Sequence, residues 1–399
     1  MTVRRKAIQM KVIFGRWGSI CEKGITNAIK RLGYDFIALD RPLQSADYDK
    51  EYLNVLIKMI QDNPDSDCVL TVNFQPIVAR ACKVFKIPYF SWTVDCPSMQ
   101  LYSTTVAYPT NRIFLFDRMQ YEKFSPVNPE CFFHLPLACD LETWDNVTIT
   151  AQDHRNFGCD ISFVGSLYSE KCSYNSIEKG LPDYIRGYVD GLINAQVNVY
   201  GYNFLEDSIT DEWAKEFKKY ADWIPFTEDY TEDVRGIVAD TYIGHKCTEQ
   251  ERIRTLSAIS AHFDMDLWTL SDTSMLPNIH NRGVADSATM MPKIIKCSKI
   301  NLSMTNRPIK TGLPLRIFDI MGAGGFLISN YQAEIPEYFI PDEDIVLYDS
   351  IPDLLGKIDY YLTHEKERIQ IAKNGYEKVK RYHTYDIKLQ QMFKMGGVI

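Results

Sequence analysis

The sequence predicts an α/β protein built from two doubly wound, Rossmann-like domains. Three observations carry this. The chain has 399 residues, enough for two or three domains at roughly 150 residues each. Short apolar runs of strand length alternate with segments of helical periodicity, the pattern of parallel sheets covered by helices. A strand, glycine turn, helix, strand unit opens the chain at 10–39, and the same unit restarts near Asp160.

In the first half, strands are expected at 10–14, 36–39, 68–73, 89–94, 112–116 and 132–137. Helices are expected between them at 19–32, 48–61, 76–85 and from Arg118. Gly15, Arg16, Trp17 and Gly18 form the turn after the first strand. Their backbone can face an acceptor, or Trp17 can simply pack a tight turn; the spacing is not the dinucleotide fingerprint. The strand at 89–94 delivers Asp95 to its carboxyl end, where ligands gather in parallel sheets. Asp95 there reads either as a general base on an acceptor group or as a turn-capping acid before Pro97. The polar, unpatterned stretch 139–158 reads as the connection, dividing the chain into 1–150 and 151–375, with 376–399 a final helix.

The second half predicts strands at 160–165, 197–200, 265–270, 299–304, 326–329 and 345–348. Helices are expected at 181–195, 205–220, 248–262, 287–296, 351–362, 365–382 and 385–395. Thr248 and Glu251 read as a capping box for the helix at 248–262. Gly165 and Ser166 follow the first of these strands, where backbone N–H groups can approach a phosphate.

The most informative stretch is 310–330, K-T-G-L-P-L-R-I-F-D-I-M-G-A-G-G-F-L-I-S-N. Pro314 suits a helix start, and glycines at 322, 324 and 325 end the helix. Free N–H groups and the positive dipole end from Gly312 through Leu313 to Leu315 favour an anion such as a diphosphate. Arg316 adds charge in the first turn. Asp319 lies roughly 7.5 Å further along the axis from Pro314, on the same face as Arg316. A carboxylate there can accept from a ribose diol. Arg307 and Lys310 add positive charge ahead of the helix. By spacing alone, an Arg316–Asp319 pair in an ordinary crossover fits equally well.

Several blocks resemble the CgeB-like (spore-maturation-type) bacterial glycosyltransferases of the GT-B superfamily. They are S-W-T-V-D-C-P-S at 91–98, I-S-F-V-G-S-L-Y at 161–168, H-N-R-G-V-A-D at 280–286, S-K-I-N-L-S-M-T at 298–305, the opening stretch and the 310–330 segment. The resemblance implies a GT-B architecture, two Rossmann-like domains facing across a cleft, with the last helix returning to the first domain. It implies a nucleotide-sugar donor, UDP-linked by analogy, held by the C-terminal domain. Arg282 and Gly283 would then contact the base and diphosphate, and an acid on the 315–323 helix would hold the ribose. Many retaining relatives carry two glutamates eight residues apart here; this chain has Thr311 and Asp319 instead.

Composition narrows the classes further. A formal net charge of −8 argues against a nucleic-acid-coating surface. No apolar run reaches the roughly 20 residues of a membrane span, and the first residues lack the apolar core of a secretion signal. Ten scattered cysteines without C-x-x-C pairs read as reduced thiols of a cytoplasmic protein, with no structural metal. With no D-x-D motif placed to hold a metal, helix-end amides with Arg and Lys would stabilise a leaving diphosphate, so neither metal nor cofactor is expected. The expected acceptor is a hydroxyl or amine on a protein, polysaccharide or small molecule. An epimerase of the same fold and a non-catalytic nucleotide-sugar binder are the alternatives. The oligomeric state is not encoded in these patterns.

Overall fold

The computed structural model of the chain describes residues 10–221 and 229–399. The chain forms two compact units. The first takes the chain up to Asp140, a short return at 229–231 and Tyr382–Ile399; the second takes Leu141 to 221 and Glu232–Arg381.

The first unit carries a six-stranded parallel sheet. Its strands are β1 (Lys11–Gly15), β2 (Asp35–Ala38), β3 (Cys68–Val72), β4 (Tyr89–Thr93), β5 (Asn111–Leu115) and β6 (Phe132–His134), in the order β2-β1-β3-β4-β5-β6. Every residue of β3 and β4 is buried, as expected of strands covered on both faces. Ile13, Val69 and Tyr89 are direct neighbours across β1, β3 and β4 and lie in the core.

The helix Tyr385–Met395 closes this unit by packing on the helix Glu22–Arg31. Phe393 meets Phe90 edge-on at 5.5 Å, and Tyr385 meets Trp92 at 5.8 Å. Glycine is required at the contact: a Cβ on Gly24 would sit 2.7 Å from the Tyr385 ring, and one on Gly396 would sit 2.2 Å from Phe90. Arg31 pins the helix through Asp386 at 2.6 Å.

The second unit carries β7 (Cys159–Val164), β8 (Met265–Trp268), β9 (His280–Asn281), β10 (Ser298–Ser303), β11 (Leu327–Asn330) and β12 (Val346–Tyr348), all parallel, in the order β12-β11-β10-β7-β8-β9. Read from the other edge this is the six-stranded Rossmann order, with a topological switch between β7 and β10. Ile161, Ile300 and Met265 are register neighbours at its centre and fully buried.

Four local expectations are corrected. Val197–Tyr200 is a turn, not a strand. The buried Gln196 side chain donates to the carbonyls of Val199 and Tyr202, at 3.2 and 2.9 Å, in place of a ladder. Thr248 does not cap a helix. The helix runs His245–Ser260, continuous with a π-helical stretch Val238–Gly244. The Thr248 hydroxyl lies 2.8 Å from the Gly244 carbonyl inside it. The helix expected at 205–220 is only Asp211–Lys218, started by a Thr210 cap. The expected helix at 287–296 begins at Met291, because Asp286 holds the N–H groups of Ala288 and Thr289 in a turn.

The polar stretch 139–158 contains a helix, Ala151–Phe157, opened by a Thr150/Asp153 capping box. Among the described residues no helix is long and apolar enough to cross a membrane. All ten cysteines are free thiols.

Candidate active site

Ligands in doubly wound sheets bind outside the carboxyl ends of the strands at the switch point. In the second unit this places the site between the end of β7, at Gly165 and Ser166, and the end of β10, at Met304 and Thr305. Arg252, from the 245–260 helix, bridges the two strand ends. Its Nη1 donates to the Ser166 carbonyl and its Nη2 to the Met304 carbonyl, both at 2.5 Å. The guanidinium lies 4.8 Å from the Tyr168 ring centre and 5.3 Å from that of Phe163. Arg252 is only 8% exposed, and its Nε has no hydrogen-bond partner among the described residues. Burial lowers its pKa against the opposing pull of Tyr168, Glu251 and Tyr348, and the nearby Arg316 guanidinium adds to the lowering.

Arg316 comes from the first turn of the helix Leu315–Gly322, which starts at Pro314 with no side-chain cap. Burial pushes its pKa down too, against the attraction of Asp319. The contact between them is a single hydrogen bond of 3.3 Å. Arg316 also lies against the Met291 sulfur. Asp319 is 6% exposed, and burial raises its carboxyl to about 6 despite Arg316. Two guanidiniums thus lie near one another, and one of them, Arg316, is only weakly bonded to its carboxylate, Asp319. Such an excess of buried positive charge favours an anion with several acceptor oxygens.

The β7 loop adds to this surface. Tyr168 holds a left-handed backbone, φ 73°, costly for a non-glycine residue. Lys171 lies 5.4 Å over its ring. His245 lies tilted beside it at 5.3 Å, its pKa pushed down to about 4 by burial and by Lys171.

Other residues read from the sequence have different surroundings. Of the two residues expected to offer N–H groups to a phosphate, Gly165 donates to the Trp268 carbonyl (3.1 Å); the next two amides are also bound, Leu167 to Ser271 (2.7 Å) and Tyr168 to the Ser166 hydroxyl (2.7 Å). The Ser166 hydroxyl itself donates to Glu170 at 2.6 Å. Arg307 is an interior ion pair rather than a charge ahead of the helix. Its Nε donates to Glu251 at 2.6 Å and its Nη1 to the Val199 carbonyl at 2.7 Å. Lys310 is bound to Glu206 at 2.5 Å, and Thr311 donates to Glu334 at 2.6 Å. Gly312 and Leu313 are buried at the approach to the helix, and the Gly312 carbonyl accepts from Gln332 at 3.3 Å.

Arg282 and Gly283 follow the edge strand β9, three positions along the sheet from β10. The Arg282 side chain turns toward Asp266 (3.6 Å) and donates to the Asn156 carbonyl (2.8 Å), just before β7 begins. It therefore points toward the amino end of the sheet. Gly283 has φ 79° and donates to Asn281 at 2.9 Å.

In the first unit the turn after β1 is filled from within. The buried Glu22 carboxylate accepts from the N–H groups of Trp17 (2.7 Å), Gly18 (2.9 Å) and Ser19 (3.2 Å), and from the Arg16 side chain (3.2 Å). The Trp17 indole donates to the Val72 carbonyl at 2.8 Å, tying the turn to β3. A Cβ on Gly15 would meet the Tyr52 hydroxyl at 2.7 Å. These amides already have an anion, so the turn's open chemistry is its exposed Arg16 surface.

Asp95 stands exposed beyond the end of β4. Asn73, in a left-handed conformation after β3, donates to it at 2.6 Å and accepts from the Val94 N–H at 2.8 Å. The carboxylate is held at the strand ends yet open to solvent.

Sequence reading missed Arg252. Its signal was present: 252, 256 and 259 form a helical stripe with Leu256 and Ile259, and a charge within an apolar stripe is buried for a reason.

At 10% identity, a glycosyltransferase from Rickettsia africae matches with a TM-score of 0.58, covering 98% of each chain. HepE from Anabaena, crystallised with UDP and glucose, matches with a TM-score of 0.53, also at 10% identity, covering 98% of this chain and 100% of its own. Sucrose-phosphate synthase from Thermosynechococcus elongatus matches with 0.52 at 10% identity, covering 97% and 98%. The fold is that of the GT-B glycosyltransferases. Residues 250–394, which contain Arg252, Arg316 and Asp319, match a family model described as glycosyl transferase-like. No curated protein matches the sequence.

Proposed function

We propose that the protein transfers a sugar from a nucleoside diphosphate sugar, with UDP as the nucleotide, to an acceptor hydroxyl or amine. The observation that carries this reading is the convergence of Arg252 and Arg316 on the β7/β10 switch point, where Arg316 makes a single 3.3 Å contact with Asp319. A diphosphate supplies the charge and acceptor oxygens that two such guanidiniums lack. Asp319 would accept from the ribose diol. That HepE binds UDP and glucose on the same fold supports UDP as the nucleotide to test.

In the transfer, the acceptor oxygen or nitrogen bonds to the anomeric carbon as the bond from that carbon to the phosphate oxygen breaks. The nucleotide leaves with the bonding electrons, and the arginines stabilise the charge that develops on it. The acceptor proton goes to a base; we assign Asp95, the exposed carboxylate held by Asn73. Leaving-group stabilisation by the two guanidiniums makes metal-independent turnover the expectation. The CgeB-like blocks and the ten free thiols support a bacterial, cytoplasmic member of that group. The acceptor is proposed only as a hydroxyl or amine on a protein, polysaccharide or small molecule.

The test is calorimetric titration with UDP-glucose and other nucleotide sugars, followed by assay of nucleotide release with and without acceptors. Binding with release accelerated by an acceptor supports transfer. Free sugar isomer without acceptor supports an epimerase. Binding without turnover supports a non-catalytic binder, and no binding to any nucleotide sugar overturns the reading.

A further inference from the structure

At the carboxyl end of β3, both backbone polar groups of Asn73 are fastened. The residue takes a left-handed backbone, φ 58°, which asparagine tolerates better than most residues. Its N–H donates to the Trp92 carbonyl at 2.8 Å, prolonging the pairing of β3 with β4. Its carbonyl accepts from the Thr71 hydroxyl at 2.7 Å. The carbonyl just before it, that of Val72, accepts from the Trp17 indole at 2.8 Å.

The Thr71 bond belongs to a buried chain with one direction. The Thr71 and Tyr89 side-chain oxygens lie 2.7 Å apart. A hydroxyl has a single proton. That of Thr71 goes to Asn73, so Tyr89 donates to Thr71. The Tyr89 oxygen accepts in turn from the Gln75 N–H at 2.9 Å. Each proton is used once, and such bonds polarise one another. Thr71 is 1% exposed and Tyr89 0%. Burial pushes the Tyr89 hydroxyl well above its ordinary pKa, so it keeps its proton. Tyr89 stands opposite Val69 in the ladder, and its length lets the hydroxyl reach the diagonal neighbour Thr71.

The Asn73 amide is thereby aimed. Its Oδ1 accepts from the N–H groups of Val94 (2.8 Å) and Asp95 (3.4 Å), which decides how the amide is turned. Its Nδ2 donates to Asp95 Oδ2 at 2.6 Å. Asp95 is exposed, and Oδ1 is the oxygen left to take the proton of an acceptor. An unheld carboxylate samples several staggered positions; a fixed donor on one oxygen sets the direction of the other.

We infer that Asn73 is a positioning residue for Asp95, and that the buried chain from Gln75 through Tyr89 and Thr71 holds it in that role. A hydroxyl in the core of the sheet thus sets the aim of the proposed base. The role in transfer rests on the reading of Asp95 as that base; the aiming of the carboxylate does not.

The test follows UDP release from UDP-glucose by the full chain, with water as the acceptor. Asp95→Asn should lower kcat by about a hundredfold or more. Asn73→Gly keeps access to the left-handed backbone. That variant and Tyr89→Phe should each lower kcat by about tenfold or more, with KM for UDP-glucose unchanged. Asn73→Asp sets a second carboxylate against the first, so the acid limb of its pH–rate profile should move to higher pH. Loss of packing alone does not produce that movement. Where Tyr89→Phe does not fold, Thr71→Val breaks the same chain. Parent kcat in Asn73→Gly and Tyr89→Phe, with Asp95→Asn slow, overturns the positioning role and leaves the base in place. Where Asp95→Asn turns over like the parent, or no release occurs, the fault lies with the base or the transfer reading. Crystal structures then decide the aiming: one Asp95 conformer in the parent and several in Asn73→Gly support it, and the same single conformer in both overturns it.

Discussion

Asp319→Asn separates a functional carboxylate from a structural one. Burial raises the Asp319 carboxyl from an ordinary 3.8 to about 6. A folded-state pKa above the unfolded one means that the native protein binds more protons between these values. The group is therefore neutral and without penalty below pH 3.8, and stability falls as pH rises through the window to about 6. At 1.36 kcal/mol per unit the full penalty above that window is about 3 kcal/mol. The amide carries no charge, so Asp319→Asn should be more stable than the parent at pH 7.5 by about 1–3 kcal/mol, the lower end allowing for the lost Arg316 contact. The advantage should shrink to about half at pH 5. Urea unfolding at the two pH values measures it. The same variant should bind UDP-glucose at least tenfold more weakly, because an amide offers one acceptor oxygen where the carboxylate offers two. Parent affinity for UDP-glucose should fall as pH drops below about 6, when Asp319 takes up its proton. A variant that is less stable at pH 7.5 and binds UDP-glucose like the parent would refute both the burial argument and the ribose assignment.

Other outcomes follow from the same geometry. Arg252→Met should weaken UDP binding by a factor of about ten or more, since a charge-assisted contact is lost; calorimetry reads this, and Arg252→Lys should recover only part. Turnover should survive chelation by EDTA, and loss of rate restored by manganese would show that the arginines do not suffice. Gly396→Ala should lower the unfolding free energy by about 1–3 kcal/mol through the Phe90 clash, seen as a lower melting temperature with UDP affinity unchanged.

The strands and their alternation with helices were legible in the sequence because fully buried parallel strands are short apolar runs with glycine, proline or polar ends. Pro76–Phe85 and Tyr385–Met395 match the expected helices residue for residue. The failures were places where side chains took over backbone roles. Gln196 replaced a ladder at 197–200. A π-helical stretch carried the helix upstream past Thr248, so a capping pattern lay inside a helix.

At the site, the helix Leu315–Gly322 with Arg316 and Asp319 on one face follows from periodicity alone, because residues three apart on a helix are neighbours whatever surrounds them. Tertiary structure decided which charges are available. It bound Arg307 to Glu251 and Lys310 to Glu206, residues 56 and 104 positions away in the chain. It filled the β1 turn with Glu22 and brought Arg252 to the two strand ends. Ion pairing depends on distances that only folding sets, so the local pattern can put Arg316 and Asp319 on one helix face but not bring Arg252 near them.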